Sequence, residues 1–172
     1  MRSYRLMVAA ALMVAGMAVV SCGERAPMGP TAETGAAPLF GQYLPSLLAC
    51  TPMAADSVTQ VIGPEGGVLV VGAHVLRIPD GALDSPVTIT AVAPSDTVNR
   101  VVLSPHGLEL EESAWLTLSY ANCGPVSWFL PKRIAYTTDL LDIIEILFSF
   151  DNPFSKRVTG RLDHFSTYAV AW

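Results

Sequence analysis

The chain has 172 residues, 51% of them hydrophobic and 15% charged, which is room for one domain behind a leader but cramped for two. Ten Lys and Arg against fifteen Asp and Glu give a formal net charge of −5. That balance offers no basic stripe for phosphate neutralisation and excludes nucleic acid as a partner class.

Part of the apolar excess sits at the N-terminus. Arg2 and Arg5 precede an uncharged apolar run over residues 6–20, which is of signal-peptide length and at the short end for a membrane span. The run ends in Val19-Val20-Ser21-Cys22, which resembles the bacterial lipobox. The resemblance implies that residues 1–21 are removed and that Cys22 carries acyl chains into a lipid bilayer. An ordinary secretory signal or an anchor helix are the alternatives, and all three put the domain outside the cytoplasm. Gly23 stands where the Gram-negative sorting rule places Asp for inner-membrane retention, so the resemblance implies the outer membrane in such a cell.

Residues 23–56 are rich in Ala, Pro, Gly and Thr, a composition that buries too little apolar surface to offset its ordering entropy and predicts a tether in its first part. Within it, Leu39, Phe40, Tyr43, Leu44, Leu47 and Leu48 form a short apolar face over 39–49 that predicts docking on the domain near Cys50. Pro45 opposes a regular helix there. With Cys22 lipidated, Cys50 and Cys123 are left in an oxidising compartment. A disulfide is the economical expectation, two buried thiols the alternative.

Beyond residue 57, short apolar segments alternate with Gly, Pro, Asn and Asp. Strands are predicted over 58–62, 68–71 and 74–78, with Pro79-Asp80-Gly81 a turn. Residues 87–92 alternate Val87, Ile89 and Ala91 against Thr88, Thr90 and Val92. Residues 115–120 alternate Leu116, Leu118 and Tyr120 against Trp115, Thr117 and Ser119. Both predict half-buried strands. The segment 140–150 fits a helix through positions 140, 143, 144 and 147, or a strand presenting Ile144, Ile146, Phe148 and Phe150 on one face. Strand is preferred beside strand neighbours. Segments 156–162 and 164–172 complete an all-β antiparallel sandwich.

The runs Ile62-Gly63-Pro64-Glu65-Gly66-Gly67-Val68-Leu69 and Val75-Leu76-Arg77-Ile78-Pro79-Asp80-Gly81-Ala82-Leu83 resemble the opening of a ZU-5 domain. Leu103-Ser104-Pro105-His106-Gly107-Leu108-Glu109-Leu110 is similar to its Pro-x-Gly-Leu segment, and residues 164–170 to its closing strand. The resemblance spans about 58–172 and implies a β-sandwich scaffold. Residues 121–127 and 140–150 depart from the animal members, so their partner surfaces do not carry over.

Catalytic and cofactor motifs are absent: no Gly-x-Ser-x-Gly, Gly-x-x-x-x-Gly-Lys, His-Glu-x-x-His or Cys-x-x-Cys occurs. His74, His106 and His164 lie far apart in sequence, and Glu109, Glu111 and Glu112 lack a second acidic cluster. No metal site and no cofactor is expected, and the acidic trio is expected in a solvated turn. The tripeptide His164-Phe165-Ser166 matches one that self-cleaves in some ZU-5 domains, Ser166 attacking the Phe165 carbonyl while His164 takes the proton. The competing expectation is one plain strand with His164, Ser166 and Tyr168 on one face and Phe165, Thr167 and Ala169 on the other.

The expected organisation is therefore a signal peptide at 1–21, a lipidated Cys22 with its linker over 22–57, and a ZU-5-like sandwich over 58–172. The leading functional expectation is a non-enzymatic binding or structural module facing a protein or glycan. The alternative is self-processing at Phe165–Ser166.

Overall fold

The computed structural model describes residues 45–124 and 130–172. Cys22 and the predicted signal peptide, together with the tether up to residue 44, lie outside the described residues. Eleven strands follow one another: β1 (Asp56–Ile62), β2 (Gly67–Val71), β3 (His74–Ile78), β4 (Val87–Ala93), β5 (Arg100–Ser104), β6 (Glu109–Ser119), β7 (Arg133–Thr137), β8 (Ile143–Ile146), β9 (Ser149–Asn152), β10 (Arg157–His164) and β11 (Thr167–Ala171). They form two antiparallel sheets, one ordered β1-β4-β5-β11-β7-β8 and the other β2-β3-β6-β10-β9. This is the all-β sandwich expected from the strand spacing.

Period-two patterning fixes which side chains enter the core. On β4, Ile89, Ala91 and Ala93 are buried while Thr88 is exposed, and on β6, Ala114, Leu116 and Leu118 are buried between half-buried Trp115 and Thr117. A one-residue slip would turn each set outward, so burial of one face specifies the register. Ile62, Val101, Leu103, Ile134, Tyr168 and Val170, all from the same six-stranded sheet as β4, add to the core.

Three sequence expectations change. The 140–150 segment is strand rather than helix, but it is two strands: β8 pairs with β7 in one sheet and β9 with β10 in the other. Ile144 and Ile146 therefore do not share one strand face with Phe150, because the chain changes sheets between them, and Ile144, Phe148 and Phe150 are exposed. The acidic trio lies on β6 rather than in a turn, since pairing of Glu109 with His164 and of Ala114 with Leu162 extends that strand past its low local propensity. The 164–172 segment is not one strand. His164 ends β10, β11 begins at Thr167, and the chain crosses between the sheets at Phe165–Ser166. The expected alternation fails there, and Phe165 joins Tyr168 in the core.

The segment before β1 is attached at one end of the sandwich. Ser46 and Trp172 exchange backbone bonds of 3.2 and 3.1 Å, and the Leu48 N–H donates to the Val170 carbonyl at 2.9 Å, with Leu48 buried. At the same end the Tyr120 hydroxyl donates to Asp151 at 2.6 Å, and the second Asp151 oxygen accepts the Lys132 backbone N–H at 2.9 Å. Burial, then the hydrogen bond and charge of Asp151, hold the Tyr120 phenol above its ordinary pKa range.

Candidate functional site

The disulfide between Cys50 and Cys123 is formed, with an S–S distance of 2.04 Å. Backbone bonds align the two segments. The Thr51 N–H donates to the Asn122 carbonyl at 3.0 Å and the Gly124 N–H to the Ala49 carbonyl at 3.2 Å. Behind the bond, buried Asn99 donates from Nδ2 to the Ser119 carbonyl at 2.7 Å.

The tripeptide His164-Phe165-Ser166 occupies the crossing from β10 to β11. Phe165 is fully buried, its N–H donates to the Leu108 carbonyl at 2.9 Å, and its own carbonyl accepts the Gly107 N–H at 2.8 Å. The Ser166 carbonyl accepts the Leu103 N–H at 3.0 Å. The His164 imidazole packs edge-on to Tyr136, ring centroids 4.9 Å apart at 80°, and lies 6.1 Å from the Tyr168 ring. The Tyr168 hydroxyl donates to the His164 carbonyl at 2.5 Å. Burial is the main reason its phenol is held above the ordinary pKa range, with the neighbouring Tyr136, Asp163 and Glu145 adding to it. Among the described residues no hydrogen bond joins His164 to Ser166, and the His164 ring packs against Tyr136 instead.

The three histidines are dispersed. His74 is buried on β3, His106 lies in the loop after β5, and His164 ends β10. Among the described residues no group of three or more His, Cys, Asp or Glu is placed to hold a metal ion.

A further feature escaped sequence reasoning. The outer face of the five-stranded sheet carries a row in which Trp115 on β6 has Arg77 of β3 as one cross-strand partner and Arg161 of β10 as the other. In the adjacent row Val75, Thr117, Thr159 and Phe150 stand side by side, with the two threonine hydroxyls 2.8 Å apart. The Phe150 ring leans across β10 toward Trp115, centroids 6.4 Å apart and planes only 31° from parallel, and Phe148 meets Phe150 edge-on at 4.8 Å. Beside Phe150 the β9–β10 hairpin opens a cleft of about 570 Å³ lined by Thr117, Asn152, Phe154, Ser155, Arg157 and Thr159 among others. Each strand alone looks like ordinary alternation. Only the register of β3, β6, β9 and β10, set by long-range pairing, assembles the arginines and aromatic rings.

No family model matches the chain, and no curated protein matches it either.

Proposed function

We propose that the chain is a membrane-anchored envelope lipoprotein, acylated on Cys22, whose ZU-5-like sandwich serves as a non-enzymatic binding or structural module for a protein or glycan. The observation that carries the extracytoplasmic part is the closed Cys50–Cys123 bond, since such bonds persist in oxidising compartments and are rare in the cytosol. The order of Arg2 and Arg5, the apolar run and Val19-Val20-Ser21-Cys22 supplies the anchor. A mature lipoprotein carries more than one acyl chain, beyond the single chain at which membrane binding is marginal. Cys22→Ser is expected to move the protein from the membrane fraction to the soluble one. Persistence in membranes after a high-salt wash would remove the lipid anchor from this reading.

One observation favours a second reading, self-processing between Phe165 and Ser166. The Gly107 N–H already points at the Phe165 carbonyl oxygen, where negative charge develops during acyl transfer. In that reaction Ser166 Oγ attacks the Phe165 carbonyl carbon, its proton passes to His164, and the Ser166 amine leaves to give an ester. Water then releases the Phe165 carboxylate and restores the Ser166 hydroxyl. His164 has to leave its packing on Tyr136 to act. Intact mass spectrometry of the denatured protein decides the matter: a fragment beginning at Ser166 supports it, and a single uncleaved mass ends it.

A further inference from the structure

The described residues carry thirteen carboxylates against seven Lys and Arg, yet three of those seven cations, Arg77, Arg157 and Arg161, gather on the outer face of one sheet. Arg161 lies 3.5 Å from Asp163, a pair more than half exposed on both sides and therefore weakly held. Arg77 and Arg157 have no carboxylate partner among the described residues. Guanidinium groups set at strand spacing either side of an indole suit planar anions, and their forked donors match a carboxylate bidentately. The Trp115 and Phe150 rings, inclined 31° to each other, offer an apolar platform beside the cations. The threonine hydroxyls and Asn152 supply neutral hydrogen-bonding groups beside it.

We infer that this face binds an acidic polysaccharide, its sugar rings stacked on Trp115 and Phe150 and its carboxylates held by Arg77, Arg157 and Arg161. The inference rests on the reading of the domain as a binding module and names its partner class. The cleft at the β9–β10 hairpin, about 570 Å³, falls within the roughly 300–1,000 Å³ typical of ligand sites and leads onto the open sheet. Three other occupants fit less well. A peptide adding as a strand would lie along the free β9 edge, in the plane of the sheet, whereas Trp115 and Thr117 face outward from β6, which is paired on both sides. A second copy packed about a twofold axis would set this arginine cluster against its own image. A bilayer needs one continuous apolar surface. On this face the exposed apolar side chains divide between Val68 and Val70 at one edge and Phe148, Phe150 and the hairpin's Phe154 at the other, with arginines and threonines between them.

The test uses the detergent-purified full chain with oligogalacturonate as probe, dextran as a neutral polymer and polyaspartate as a charge-matched chain without sugar rings. Binding to oligogalacturonate is expected, with polyaspartate and dextran each weaker by at least about fivefold, the scale of one lost hydrogen bond or stacked ring. Arg77→Gln and Phe150→Ala alter exposed side chains and are each expected to weaken binding by a similar factor with the melting temperature held. Arg133→Gln, in the other sheet, is expected to leave binding unchanged. No binding to oligogalacturonate, equal affinity for polyaspartate, or indifference to both face variants overturns the inference. So does binding to phosphatidylglycerol vesicles without polymer binding, or a concentration-dependent dimer that the variants abolish. Photo-crosslinked partners retained by both face variants would leave the binding role standing while removing this face from it.

Discussion

Asn99 and Asn122 exchange side-chain hydrogen bonds, Asn99 Nδ2 donating to Asn122 Oδ1 at 2.6 Å and Asn122 Nδ2 to Asn99 Oδ1 at 3.0 Å. Each amide has a further bond, Asn99 to the Ser119 carbonyl and Asn122 to the Thr51 carbonyl. Three segments, around Thr51, Asn99 and residues 119–122, thus meet in one polar cluster beneath the disulfide. Asn99→Asp replaces a donor facing two oxygens with a third acceptor and places a charge at a buried position. The expected loss is about 2–4 kcal/mol at neutral pH, read by urea unfolding. A change under about 0.5 kcal/mol, the usual span of surface substitutions, would show that the cluster contributes little.

The disulfide closes a loop of 73 residues, for which the chain-entropy model gives about 4 kcal/mol. Cys50→Ala and Cys123→Ala are each expected to lower stability by a similar amount, and the double substitution by little more than either. Non-reducing mass analysis of the mature domain should find no free thiol at these positions. Additive effects of the two substitutions would contradict a shared bond.

His74 is 1% exposed, and its Nδ1 accepts the Ser119 backbone N–H at 3.1 Å. Burial, then the charge of Arg157, lowers its pKa from 6.5 to about 4. The unfolded chain therefore takes up the proton first as pH falls. The stabilisation is fully present above pH 6.5 and is lost progressively toward pH 4. Between pH 7.5 and pH 5 the loss from this group amounts to about 2 kcal/mol. His74→Asn, whose side-chain oxygen replaces the Nδ1 acceptor without titrating, should flatten that part of the profile even though it lowers stability overall. A variant profile parallel to wild type would assign the dependence to other groups.

Gly66 and Gly107 have nearly the same positive φ, 71° and 73°, in different surroundings. A Cβ on Gly66 would meet the backbone of Ile78 and Pro79, while one on Gly107 meets nothing within 4 Å. Gly107→Ala is expected to cost only the left-handed penalty of about 1–2 kcal/mol. Gly66→Ala adds displacement of the β3 end and should cost roughly 1–3 kcal/mol more. Thermal unfolding of the two variants side by side measures the difference, and equal losses would show that the backbone yields freely.

Where the sequence predicted well, one local rule was sufficient. Ile89 and Ala91 are fully buried because alternation over 87–92 leaves only one face able to bury, and β3 stops at Ile78 because Pro79 cannot donate to a ladder. Cys50 and Cys123 were legible by elimination once Cys22 was set aside. Where long-range pairing decides, the sequence was mute. Leu147 and Phe148 change sheets between β8 and β9 without a Gly or Pro to mark the break, and Phe165 turns inward at a crossing that looks locally like one continuous strand. The Arg77–Trp115–Arg161 row joins residues from three segments, so no window along the chain contains it.

The placement of the disulfide also governs how the molecule answers mechanical load. A pull between the N-terminal side and Trp172 first peels residues 46–48 away from residues 170–172 and then draws Ala49 and Cys50 from the 97–98 segment and from Gly124, releasing roughly 17 Å of chain. It then arrives at Cys50, from which the covalent path jumps directly to Cys123. Strands β1 to β6 lie inside the closed loop and bear no tension along that path. Under reducing conditions the same pull reaches them in turn, and about 250 Å of further extension becomes available.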